Sequence, residues 1–192
     1  MKKVISFLQS ISSGKTVLLS ICLTMAVYSF MLLYSIPKVQ SFAPKITLFD
    51  LSPSGYSYEH AILLLDKLGE TGRNLYLTLQ LPADFFYPGL FAISYSILLN
   101  WIFKKSFNTN SKVFYLTFMP VLGGLFDYLE NFCILLMIRL FPDFPKQLVE
   151  VASTFTVMKS IFSTIFFLLL FCGIATILFS HLQRNHKKKL QK

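Results

Sequence analysis

Two carboxylates and an amide lie inside an apolar run of the chain that is long enough to cross a membrane. Asp127, Glu130 and Asn131 are spaced i, i+3 and i+4, so a helix places all three on one face. Ionisable groups at membrane depth are costly, and they usually face a protein interior or a wet cavity rather than lipid. Such acids could exchange a proton, bind a cation or contact a substrate. The sequence therefore predicts the centre of any functional site here.

A single lysine is expected to compensate these acids. The short connection 142–147 joins the third and fourth apolar runs, so their helices form an antiparallel hairpin. Glu130 lies about ten residues before the end of the third run, or roughly 15 Å along a helix. Lys159 lies about ten residues after the connection, at nearly the same depth. We therefore predict that Lys159 pairs with Glu130 or Asp127, which leaves an excess of negative charge.

Four further residues are expected at the outer mouth of a cavity above this polar core. Asp84 begins the second apolar run near the predicted outer surface, and Tyr87 follows one turn later. Arg73 and Tyr76 lie just upstream, in a predicted loop helix. We expect these four side chains to close over a cavity whose floor is formed by Asp127, Glu130, Asn131 and Lys159.

Four apolar runs must position these residues. The chain has 192 residues, of which 54% are hydrophobic, and the runs cover about 16–36, 84–103, 113–141 and 151–179. A helix needs roughly 20 apolar residues to cross the hydrocarbon core. We predict an all-α, multi-pass four-transmembrane-helix bundle in which residues 1–192 form a single membrane domain. Segment 37–83 is predicted as a partly helical outer loop, and 180–192 as a basic tail.

The distribution of basic residues predicts the orientation of the bundle. Eleven of the 18 lysines and arginines lie in the N-terminal segment, the second loop and the C-terminal tail, which contain no acidic residue. The positive-inside rule then places both termini on the cytoplasmic side. We expect an uncleaved first span, because its apolar stretch is too long for a typical signal core, and we favour a bacterial inner membrane over a eukaryotic one. The net charge of +9 suits anionic lipids, so we expect no nucleic-acid partner.

The sequence contains no recognisable cofactor or enzyme motif. The cysteines are well separated, which argues against a thiol-redox enzyme, and all three histidines lie outside the apolar runs. A histidine-built metal site or a bis-histidine haem inside the bundle is therefore not expected, and we expect neither a metal nor another cofactor. There is no Gly-x-Ser-x-Gly elbow, no His-Glu-x-x-His helix and no phosphate loop.

Three functions are compatible with this pattern. The leading interpretation is a small membrane protein that binds lipids or partner helices around its polar core. One alternative is an intramembrane enzyme that acts on a lipid-like substrate, with Asp127 or Glu130 as general acid or base. The other alternative is proton- or cation-coupled transport. The missing nucleophile motif favours binding, whereas the excess of acids favours an enzyme or a transporter. A lipid-sized pocket ending on these acids would favour the enzyme, and a dry, fully paired network would favour a structural role.

Overall fold

The computed structural model describes the backbone of residues 2–190 and the side-chain surroundings of residues 2–179. Within that range the chain is α-helical, and no strand is present. Four helices are long and apolar enough to span a membrane: Gly14–Gln40, Tyr58–Ser106, Lys112–Leu140 and Lys146–Phe179. The predicted all-α bundle of four membrane-spanning helices is confirmed. The side chains of the predicted basic tail, 180–192, lie outside the described residues.

The described chain contains seven α-helices, some of which join end to end. They are α1 (Lys2–Ile11), α2 (Gly14–Phe30), α3 (Ile36–Gln40), α4 (Tyr58–Leu75), α5 (Leu81–Ser106), α6 (Met119–Leu140) and α7 (Lys146–Leu190). A π-helical turn at Met31–Ser35 joins α2 to α3, and another at Tyr76–Gln80 joins α4 to α5. Two 3₁₀ segments, Phe49–Leu51 and Lys112–Phe118, lie in the connections.

Local sequence explains where the helices begin. The Ser13 hydroxyl accepts the Thr16 N–H at the start of α2, and the Ser57 hydroxyl accepts the His60 N–H at the start of α4. These serines satisfy donors that a helix start leaves free. Pro82 and Pro120 lie in the first turns of α5 and α6, each directly after a non-α helical turn.

The helices extend beyond the expected boundaries at two places. The first spanning helix does not end at Pro37 but continues to Gln40, and the second does not begin at Asp84 but joins α4. In both cases a π-helical turn immediately precedes the proline-containing helix start. Gly69 bends α4 with a φ of +62°, yet the helix resumes after it. Part of the predicted outer loop is therefore continuous with the second spanning helix.

The bundle is not equally closed on all sides. Helix α6 packs along both α5 and α7, and α5 also packs against α2 and α7. The α2–α5 contact includes a buried hydrogen bond of 2.8 Å between the Thr24 and Ser94 hydroxyls. Within the described residues, α2 and α7 make no extensive contact with each other. The space between these two helices is the open side of the site described below.

Two apolar clusters form the core, and a polar layer separates them along α5. One cluster surrounds Leu65, Leu81 and Met137, and the other surrounds Phe91, Phe103 and Phe166. Between Leu81 and Phe91 the inward-facing positions of α5 are Asp84 and Pro88, both of which are buried. The candidate site occupies this polar layer.

Candidate functional site

Lys159 lies between the two acids of α6. Its Nζ is 2.5 Å from Glu130 Oε2 and 3.2 Å from Asp127 Oδ1. Thr156, one turn earlier on α7, donates its hydroxyl to Glu130 Oε1 at 2.7 Å. The Glu130 side chain is fully buried, whereas the Lys159 side chain is 18% exposed. The i, i+3 spacing within each helix and the antiparallel α6–α7 hairpin bring these four side chains to one depth. We call Lys159, Asp127 and Glu130 the lysine triad.

Asn131 makes a different contact from Asp127 and Glu130. Its Nδ2 donates to the backbone carbonyl of Asp84 at 2.9 Å. That carbonyl would normally accept the N–H of residue 88, but Pro88 has none. Gly124 allows α6 to come this close, because a Cβ at that position would lie 2.7 Å from the Pro88 carbonyl oxygen. Asn131 therefore satisfies a buried carbonyl that the proline leaves free.

Asp84 does not lie at the outer surface as expected, because the helix that carries it begins well upstream. The residue is only 4% exposed, and its Oδ2 has no hydrogen-bond partner. Asp50, from the 3₁₀ turn Phe49–Leu51, lies beside Asp84 at the polar end of the same cavity. Asp50 Oδ1 also has no donor. We call these two residues the aspartate pair.

The other oxygen of Asp50 is held by the π-helical turn Tyr76–Gln80. Asp50 Oδ2 accepts the Tyr76 hydroxyl at 2.8 Å and Gln80 Nε2 at 3.3 Å. Gln80 Oε1 in turn accepts the Ser35 hydroxyl at 2.5 Å, which links the two π-helical turns. Tyr76 is therefore fully buried and positions Asp50, so it does not close an outer mouth. Such π-helical turns are common at functional sites.

Arg73 lies away from the aspartate pair. Its Nη1 donates to the Leu65 carbonyl at 2.7 Å, and its guanidinium lies 4.4 Å from the centre of the Phe141 ring. Both contacts hold the bend of α4 around Gly69 against the end of α6. The expectation that Arg73 closes the cavity is not met, because its side chain is used within this bend.

The segment that carries Asp50 is docked on α7. The Tyr56 N–H donates to Ser153 Oγ at 2.9 Å, and Gly55 has a φ of +86°. A Cβ on Gly55 would clash with Ser153 Oγ, so both backbone conformation and space favour glycine. Burial raises the pKa of the Tyr56 hydroxyl, and the Glu130 carboxylate raises it further. Tyr56 therefore keeps its proton at neutral pH.

A cavity of about 490 Å³ lies between α2, α5, α6 and α7. Its polar end is lined by Asp50, Asp84, Asp127 and Lys159, and Ser160 and Ser163 line it along α7. Tyr87 forms part of its wall. The remaining walls are mainly apolar and include Met25, Tyr28, Met31, Leu32, Ile36, Phe91, Tyr95 and Phe167. Glu130, Asn131, Tyr76 and Arg73 do not line this cavity.

Asp50, Tyr56, Ser35 and Gln80 are residues of this polar layer that the sequence did not single out. In the sequence, Asp50 is one of several charged residues in a loop whose acidic and basic residues balance each other. A signal was nevertheless present, because Asp50 directly follows the apolar stretch 46–49. Leu48 and Phe49 are fully buried, and because Asp50 is the next residue, it lies close to the interior.

The described residues contain no group of three or more His, Cys, Asp or Glu side chains placed to hold a metal ion. No family model, curated protein or solved structure matches the chain. The chemistry of the site is therefore derived from its own geometry.

Proposed function

We propose that this membrane protein binds a lipid-like amphiphile in the cavity between α2, α5, α6 and α7. The observation that carries the proposal is the cavity itself, which has mostly apolar walls and ends on Asp84, Asp127 and Lys159. Apolar pockets with a few convergent polar groups are typical ligand sites. The polar group of the amphiphile would contact the charged end, and its tail would lie along the apolar walls.

The open side of the bundle supports this proposal. Helices α2 and α7 flank the cavity without extensive contact between them in the described chain. Leu32, in the π-helical turn that follows α2, and Phe167 on α7 both line the cavity, yet they are 45% and 55% exposed. Side chains that border a cavity and also face outward mark its rim. A tail could therefore enter sideways from the hydrocarbon core, without passing through water.

The experiment is detection of a bound amphiphile by native mass spectrometry after purification in a mild detergent. Ser163 lines the cavity, and Ser163→Phe should fill it. Thr164 is adjacent and exposed, so Thr164→Phe is the matched control. We expect adducts of amphiphile mass on the wild type and on Thr164→Phe, but not on Ser163→Phe. Unliganded wild-type protein, or equal adducts on all three proteins, would contradict the proposal.

Intramembrane catalysis on such a lipid-like molecule is the second candidate function. The observation that favours it is the presence of two differently held carboxyls, Asp84 and Asp127, on the wall of one cavity. Two carboxyls in different surroundings can serve as acid and base. Of the two predicted candidates, Asp127 lines the cavity, whereas Glu130 is fully buried behind its wall, so Asp127 and Asp84 suit proton transfer better than Glu130. This function would be favoured if the wild type converts a component of a lipid extract to a product and Asp127→Asn does not. The Asp127→Asn protein should still carry the amphiphile adduct.

We also propose that both termini face the cytoplasm, on the basis of the clustered basic residues. A bacterial inner membrane remains the favoured location. Two further functions stay predictions: binding of partner helices, and proton- or cation-coupled transport. Single cysteines introduced in the first loop and in the C-terminal tail should react with an impermeant thiol reagent from opposite sides of the membrane. Reaction of both from the same side would rule out this orientation.

A further inference from the structure

The charged end of the cavity has more negative than positive groups. Asp50, Asp84 and Asp127 line it, and Lys159 is the one basic residue among the described lining residues. Lys159 is already engaged by Asp127 and by Glu130 behind the wall. Four carboxyls, those of Asp50, Asp84, Asp127 and Glu130, are thus matched by one lysine. An anionic group entering the cavity would meet no free counter-charge among these residues.

One oxygen of each residue in the aspartate pair also lacks a hydrogen-bond donor among the described residues. Asp84 is more than nine-tenths buried, it lines the cavity, and its Oδ2 has no partner. Asp50 Oδ1 is in the same situation. A buried carboxylate without a donor is unfavourable, and a charged N–H group is the strongest donor that can compensate it. The aspartate pair therefore has no counter-charge of its own among the described residues, unlike Asp127, which contacts Lys159.

Aromatic rings line the cavity beside these carboxylates. Tyr87, Phe91 and Tyr95 follow one another at i, i+4 and i+8 on α5, with ring centroids 6.0 and 4.8 Å apart. Tyr28 on α2 lies 5.5 Å from the Tyr87 ring. All four residues line the cavity. Aromatic faces attract ammonium groups through their quadrupole, and the attraction is strongest where water is excluded.

We infer that the amphiphile carries a cationic head group, held by the aspartate pair and the aromatic wall of Tyr28, Tyr87, Phe91 and Tyr95. A protonated amine would donate its N–H groups to the pair, whereas a quaternary ammonium, which has no N–H, would be held by its charge and by the aromatic rings. This inference rests on the amphiphile binding proposed above and adds its head-group class. An alkylammonium would place its charge at the acidic end and its chain along Met25, Met31 and Leu32. A fatty acid or a phospholipid with only a phosphate would bring a second negative charge beside Asp84.

The test uses single-chain amphiphiles that share one alkyl tail and differ in head group. A tritiated alkyltrimethylammonium is bound to the purified full-length protein in a neutral detergent, and the matching amine, alcohol and carboxylate compete for it. We expect the amine to bind at least about tenfold more tightly than the alcohol, since one favourable charge contact is worth about that factor. The carboxylate should be the weakest competitor.

Variants separate the head-group contact from the fold. Asp84→Asn should lower affinity for the alkylammonium by about tenfold and leave affinity for the alcohol unchanged, which also shows that the variant is folded. Asp66→Asn removes an equal charge from an exposed position and is the control. Tyr87→Leu should lower affinity for the quaternary ammonium, and Tyr87→Phe should retain it, because the ring face remains.

The outcomes distinguish the two proposals. Equal binding of amine and alcohol, or preference for the carboxylate, overturns the head-group inference and leaves amphiphile binding standing. Failure of every amphiphile to bind wild-type protein overturns amphiphile binding and the inference with it. Tight amine binding that Asp84→Asn does not weaken also overturns the inference, because the aspartate pair would then not be the contact.

Discussion

Helices α5 and α6 each place a buried aspartate on the wall of the same cavity, but the two groups are held in opposite ways. Asp127 on α6 shares Lys159 with Glu130, and Glu130 also receives the Thr156 hydroxyl. Asp84 on α5 meets a second carboxyl, Asp50, and its Oδ2 has no donor. The lysine triad contains its own counter-charge and suits a structural role. The aspartate pair lacks one, and such an uncompensated group is better explained by a ligand.

Removal of Lys159 should give the largest effect, because it leaves two buried carboxylates without their counter-charge. We expect Lys159→Leu to lower the free energy of unfolding by about 3 kcal/mol, the order found when one partner of a buried pair is lost. Thermal unfolding of the detergent-solubilised protein measures it. Adding Glu130→Gln should recover part of the loss, since contacting residues are non-additive. Strictly additive effects would show that the triad is not a unit.

The second-largest effect is expected at the hydrogen bond between Asn131 and the Asp84 carbonyl, which joins the two regions. Asn131→Leu removes the donor to the Asp84 carbonyl, and leaving this carbonyl unsatisfied should cost about 2 kcal/mol. Pro88→Ala is the matched background, because alanine restores a backbone N–H that can bond the same carbonyl. Asn131→Leu should therefore be less harmful in the Pro88→Ala protein. An equal loss in both backgrounds, measured by thermal unfolding, would mean that Asn131 does not compensate for the proline.

Two glycines test whether docking of the loop on α7 places Asp50 at the cavity. Gly55→Ala and Gly69→Ala both force alanine into a positive φ, and each should cost about 1–2 kcal/mol. A Cβ on Gly55 also meets Ser153, whereas one on Gly69 has no atom within 4 Å. Only Gly55→Ala should therefore reduce binding of the alkylammonium probe. If both variants bind it equally, docking at Gly55 is not what positions Asp50.

The smallest effect on stability is expected at Asp84. The amide introduced by Asp84→Asn can donate to Asp50 Oδ1, so this variant should leave the free energy of unfolding unchanged or raise it by less than about 1 kcal/mol. Asp127→Asn should lower this free energy, which thermal unfolding measures, because it removes one partner of Lys159. A group whose removal does not harm the fold is typical of a functional residue. If Asp84→Asn is more destabilising than Asp127→Asn, the contrast between the triad and the pair is reversed.

Most of the architecture could be predicted from the sequence. Lipid leaves backbone groups no partner outside the helix, so long apolar runs have one structural solution. The helix ends were harder to predict, because Pro37 and Pro82 look like boundaries. In the structure a π-helical turn precedes each proline, and the chain remains helical through both positions. Tertiary contacts such as the Ser35–Gln80 hydrogen bond stabilise these turns, and a local pattern does not reveal them.

The sequence by itself determined that Asp127, Glu130 and Lys159 can meet, because helical spacing and a short hairpin connection set both face and depth. It could not determine that Asp50 and Asp84 meet, since 33 residues of loop and bent helix separate them along the chain. Their approach depends on docking of the loop on α7 at Gly55 and on Tyr76 and Gln80, which hold Asp50. Periodicity acts over a few turns, whereas these contacts join distant segments, so only the tertiary structure decided where the uncompensated carboxylates lie.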